Sequence, residues 1–177
     1  NPKLNKKPVV VLSNNDGCII SRSDEVKQLG IPMGAPVFKY RSILNQHDVK
    51  ILSSNYPLYA DMSCRVMSIL KKFVLDVELY SIDEAFLSFH GFENYDIYSY
   101  ALDIRKTIFK WTGVPTSVGI APTKALSKIA NKIARKHPRE TKDVYLINSD
   151  FERIKSLKKI SLNDVWGIGR SLTKRLE

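Results

Sequence analysis

Two adjacent carboxylates, Asp83 and Glu84, stand in residues 79–87 (LYSIDEAFL), a run otherwise suited to buried strands. Neighbouring side chains on a strand point to opposite faces, so the pair should place at least one acid near a sheet core or at a bend. An unpaired buried carboxylate costs several kcal/mol, about the scale of a domain's net stability, and so demands a cation or donors. A bend at a sheet edge would let both acids converge on Mg²⁺, a hard ion that takes carboxylate oxygens. A solvent-exposed turn is the alternative.

A second set of residues suits polyanions. Lys124, Lys128, Lys132 and Arg135 fall at i, i+4, i+8 and i+11, one stripe of a helix whose packing side is Leu126, Ile129, Ala130 and Ile133. The stripe suits phosphates, with a solvated helix face as the alternative. Near the carboxyl end, Gly167 and Gly169 in WGIGRSLTKRLE open a helical stretch bearing Arg170 and Lys174. Backbone N–H groups at such a turn can donate to a DNA phosphate, as in the first part of a helix-hairpin-helix; a plain glycine turn is the alternative. Ser21, Arg22 and Lys27 follow a turn signal and suit either triphosphate contact or an ordinary polar surface. His47, His90 and His137 lack ligand spacing, and Cys18 and Cys64 read as core-filling thiols.

The elements that must position these groups alternate. Residues 7–13 have strand character and end at the turn signal Asn14-Asn15-Asp16-Gly17. A short helix over 24–29 stops at Gly30, and helical periodicity returns over 58–73 and 98–111. Strands are expected on both sides of 81–84, at 117–121 and at 144–147, with a helix over 122–136 that has Pro122 at its start. This order predicts an α+β fold, a sheet covered by helices on one face.

The 177 residues, 44% of them hydrophobic, suffice for one sizeable core with an attached lobe. The formal charge is +10, unevenly spread: residues 73–104 hold seven acids and neither Lys nor Arg, while the chain from Lys124 on is basic. The apolar runs are too short to span a bilayer and the two cysteines show no pairing signal, so a soluble, cytoplasmic setting with no membrane partner is expected.

Taken in order, SNNDGCIISRSDEVKQLGIPMGAP, SSNYPLYADMSCRVM, YSIDEAFL, SVGIAPTKALSKIANKIARK and DVWGIGRSLTKRLE resemble the Y-family translesion DNA polymerases, in their UmuC-like branch. The resemblance implies a palm with a ferredoxin-like antiparallel sheet, with fingers over 1–54, palm over 55–160 and the start of a thumb with a partial helix-hairpin-helix over 161–177. It implies error-prone, template-directed transfer of deoxynucleotides to a primer 3′ end, with two Mg²⁺ ions and catalysis by alignment and charge neutralisation. Asp83 would be the ligand shared by the ions, and Glu84 would position metal and primer hydroxyl. Ser21, Lys27 and Arg135 would contact the incoming triphosphate. Primer-template DNA and deoxynucleoside triphosphates are the implied partners, with a UmuD-like subunit and a sliding clamp as further ones. The sequence departs from many relatives at Asp24, where a tyrosine is common, and at Lys27, where arginine is common. Relatives also carry an earlier strand with a third carboxylate, so this chain alone is expected to be inactive. A nonenzymatic DNA-binding module and another Mg²⁺-dependent phosphoryl enzyme with a palm-like sheet are the competing functions.

Overall fold

The computed structural model describes residues 2–177, which form two units, one ending at Tyr59 and the other spanning Ala60–Glu177. The first opens on a 3₁₀ turn, Pro2–Leu4, followed by β1 (Val9–Leu12), β2 (Ile19–Arg22), α1 (Asp24–Gln28), α2 (Val37–Gln46) and β3 (Lys50–Ser53). β1 is the central strand, antiparallel to β2 and parallel to β3. Its reversal into β2 uses the expected turn: the Ser13 N–H donates to the Cys18 carbonyl at 2.8 Å, and Asp16 takes a φ of 53°. Alternation buries Val10 and Leu12, which pack with Ile19, Val26, Ile31 and Leu44. α2 and β3 are not among the elements expected from the sequence. β3 is exposed along its whole length, so no alternation marks it.

In the second unit, the body of α3 (Tyr56–Leu70) leads to β4 (Val77–Leu79), β5 (Ala85–Leu87) and α4 (Ile97–Thr112). β4 and β5 form an antiparallel hairpin with Leu79 opposite Ala85. α4 begins where the Asp96 carboxylate accepts from the Tyr98 and Ser99 N–H groups and ends at Gly113, whose φ of 72° closes the helix in the left-handed region. Met67, Leu70, Ile104 and Ile108 are the core here, with Ala85 and Leu87 packed on it.

The remaining elements are β6 (Val118–Ile120), α5 (Lys124–Lys136), α6 (Pro138–Thr141), β7 (Val144–Leu146), α7 (Asp150–Leu157), a 3₁₀ turn at Leu162–Asp164, and α8 (Arg170–Leu176). The α+β class is the one expected, but the pairing is mixed. β6 and β7 are parallel, because α5 and α6 carry the chain back to the starting end before the second strand. Among the described residues this pair and the β4–β5 hairpin are separate two-stranded pieces. Thr123 is the N-cap of α5, accepting from the Leu126 N–H at 3.3 Å, so Pro122 precedes the cap instead of occupying the first turn. α5 lies hard against β6 at Gly119, where an added Cβ would fall 2.1 Å from the Asn131 nitrogen and from the Ser127 carbonyl oxygen. Ile129, Ala130, Ile133 and Ile147 form the core beneath. No helix among the described residues is long and apolar enough to cross a membrane.

Candidate functional site

The acid pair occupies the turn of the β4–β5 hairpin. The Tyr80 and Ser81 N–H groups both donate to the Glu84 carbonyl, at 3.1 and 3.0 Å, so residues 80–84 leave the pleat before the acids are reached. Both carboxylates are therefore exposed: of the two places expected for the acids, the bend is the one found and not the sheet core, because strand alternation does not extend through a turn. The Ser81 hydroxyl donates to Asp83 Oδ1 at 2.7 Å and accepts from the Asp83 N–H at 3.3 Å, which fixes this carboxylate against its own backbone.

α5 runs beside that turn and brings its stripe to meet acids. Lys128 Nζ lies 3.0 Å from Glu84 Oε2, Lys124 pairs with Glu78 on β4, and Lys132 pairs with Asp164. Lys136 reaches the other oxygen of Asp164 at 3.3 Å. Hydrogen bonding from Lys132, then from Lys136, holds the Asp164 carboxyl below its ordinary range against the opposing effect of partial burial. The stripe is thus largely neutralised within the unit. Arg135 is its exception, exposed and with no ion pair among the described residues.

Aromatic rings complete the wall. Trp166 Nε1 donates to the Tyr80 hydroxyl at 3.0 Å, and the two rings meet edge to face with centroids 5.4 Å apart. Phe86 joins them at 5.5 Å from Tyr80 and 6.0 Å from Trp166. The Lys128 ammonium stands 4.4 Å from the Tyr80 centroid and 5.3 Å from that of Trp166. A cleft of about 250 Å³ opens here, lined by Glu84, Lys128, Lys132, Arg135, Asp164 and Trp166 among others.

The other candidates are carried by other elements. Gly167 has a φ of 88° and Gly169 is the N-cap of the seven-residue α8, with Arg170 and Lys174 exposed on it. In the first unit Ser21 is exposed on β2, while Lys27 on α1 is bound 2.7 Å from Asp24, which holds the Asp24 carboxyl below its usual range. Arg22 donates to the Ile31 carbonyl. Cys18 and Cys64 are both free, and Cys64 is exposed, contrary to a core-filling role. Tyr80, Trp166, Glu78 and Asp164 are the site residues that sequence reasoning missed; only the crowding of aromatics around YSIDEAF and DVWGIG hinted at them.

The donor chemistry suits a hard divalent ion. Two adjacent carboxylates sit on an open turn, and Mg²⁺ commonly takes one or two protein carboxylates together with water and substrate phosphates. Among the described residues no group of three His, Cys, Asp or Glu side chains gathers to cage a metal. The pair fits Mg²⁺ as an open-sided partial site.

The chain is 49% identical to protein UmuC of Salmonella typhimurium over 177 residues and 42% identical to protein ImpB of the same organism over 178. Each alignment covers 99% of this chain and 42% of the relative, so the chain spans less than half the length of these curated relatives. Among solved structures, DinB from Sulfolobus solfataricus superposes with a TM-score of 0.81 at 26% identity, covering 99% of this chain and 51% of that one. An insertion ternary complex of Dbh DNA polymerase gives the same TM-score and the same coverages at 30% identity. The family model described as impB/mucB/samB matches residues 1–132, and the chain belongs to that family of UmuC-like, Y-family polymerase proteins.

Proposed function

We propose that the protein to which this chain belongs is a template-directed DNA polymerase of the translesion type, and that the β4–β5 turn is its catalytic acid site. The observation that carries this reading is the exposed Asp83–Glu84 turn, whose Glu84 lines a cleft together with Arg135. Asp83 and Glu84 would hold Mg²⁺, which when bound lowers the cost of developing negative charge on transferring phosphates. The chain's own work is positioning. Ser81 locks Asp83, Lys128 holds Glu84, and the exposed guanidinium of Arg135, with no ion pair among the described residues, supplies a forked donor for a nucleotide phosphate. Ser21 and Lys27 remain proposed phosphate contacts on family grounds, Lys27 only by giving up Asp24. With Lys124, Lys128 and Lys132 already neutralised, we assign the backbone contacts to primer-template DNA to the exposed Arg170 and Lys174 beside Gly167 and Gly169. A UmuD-like subunit and a sliding clamp are proposed partners on the same family grounds.

The test is primer extension opposite damaged and undamaged templates by the full-length protein, with Asp83→Asn and Glu84→Gln beside it. Each substitution should lower incorporation by at least about a hundredfold while leaving DNA binding nearly intact, because charge stabilisation in the transition state is what is removed. If both variants incorporate at the parental rate, the acid turn is not catalytic; if the unaltered full-length protein binds primer-template DNA but extends no primer, the nonenzymatic DNA-binding reading prevails.

A further inference from the structure

We propose that Lys128 is a positioning residue for Glu84, held in place by an aromatic cage, and not a contact to DNA; the inference rests on the reading of the acid turn as the catalytic site. The side chain of Lys128 is only 23% exposed, against 50% for Lys124 four residues earlier on the same stripe. An ammonium withdrawn this far from water requires a partner, and its partners are the Glu84 carboxylate and the faces of Tyr80 and Trp166. Those rings are themselves fixed, since the Trp166 indole donates to the Tyr80 hydroxyl. A flexible four-carbon side chain is thereby limited to one place. It holds Oε2 of Glu84, and Oε1 accepts no hydrogen bond among the described residues, which leaves one oxygen for a cation. The same contacts tie the hairpin turn to the segment after the Leu162–Asp164 turn, so the position of the acid depends on Trp166, 82 residues away in sequence.

Lys128→Met in the full-length protein separates positioning from phosphate binding. The expected result is a fall in kcat of about 10–100-fold, the usual effect of removing a partner that orients a ligand. KM for primer-template DNA and the salt dependence of DNA binding should stay as they were. In the absence of DNA and nucleotide, Mn²⁺ binding followed by electron paramagnetic resonance should tighten by about three- to tenfold, because a competing positive charge beside the carboxylates has gone. Lys128→Arg, which can hold a carboxylate and stack on aromatic faces, should recover most of kcat. Trp166→Leu keeps the lysine charge and removes one wall, so kcat should fall with KM for DNA unchanged; this variant serves if Lys128→Met folds poorly. A raised KM for DNA with unchanged kcat, and a salt slope smaller by about one unit, would mean that Lys128 contacts a phosphate and would overturn the proposal. Glu84→Gln tells the two failures apart. If it abolishes incorporation while Lys128→Met does not affect it, only the positioning role falls; if Glu84→Gln is also without effect, the catalytic reading of the turn falls with it.

Discussion

Asp164 receives two lysines, Lys132 and Lys136, on separate carboxylate oxygens, and its side chain is only 20% exposed. Their hydrogen bonds and charges favour the ionised form, which is why its pKa is depressed. A depressed folded value fixes the sign of the pH effect: the stabilisation is complete above the ordinary carboxyl value of 3.8 and is lost as pH falls below it through the folded value. Asp164→Asn should therefore cost about 1 kcal/mol near neutral pH, since both lysines retain routes to solvent. Urea unfolding from pH 7 down to pH 2 checks this. The wild-type advantage should be flat at neutral pH and vanish in strong acid, and an advantage that grew on acidification would contradict the assignment. The exposed pair Lys27–Asp24, on the same argument, adds little, because water screens both partners.

At the scale of elements, α5 is where most of the candidate site is carried, and its placement depends on one residue of β6. Gly119 lets the backbones of strand and helix approach until a methyl group would overlap two main-chain atoms of α5. Neither atom is the end of a flexible side chain, so Gly119→Ala must push the helix away. A loss of about 1–3 kcal/mol or more is expected by urea unfolding, together with weakened Lys128–Glu84 and Lys132–Asp164 contacts. An alanine variant as stable as the parent would show that β6 and α5 are farther apart than described. The helix itself was legible in sequence, because the lysines recur every four residues opposite Leu126, Ile129 and Ile133. What the stripe faces was not legible. Glu78, Glu84 and Asp164 lie 46, 44 and 32 positions away from their lysines, and spacing along a helix carries no information about acids delivered by a hairpin and a 3₁₀ turn. The hairpin was likewise readable from two apolar runs around residues 81–84, whereas the exposure of both acids depends on the hydrogen bonds that end the pleat at Tyr80.

For the whole molecule, the distribution of apolar burial sets how its stability is divided. Each of the three core clusters draws its members from a single unit: Val10 through Val49 in the first, the α3–α4 and α5 clusters in the second. Protection against hydrogen exchange should follow that division, since cooperative opening tracks contiguous packed units. Leu44 is fully buried in the first cluster, and Leu44→Ala removes packed methyl groups that the surrounding side chains replace only in part. The amides of β1, β2 and α2 should lose about 2–5 kcal/mol of protection, while those of α5 and β7 keep theirs. Exchange followed by mass spectrometry at peptide resolution distinguishes this from a single cooperative core, in which the loss at Leu44 would be transmitted equally to the helix bearing Lys128. Retention of α5 protection in this variant would mean that the acid turn and its lysines keep their geometry while the first unit opens.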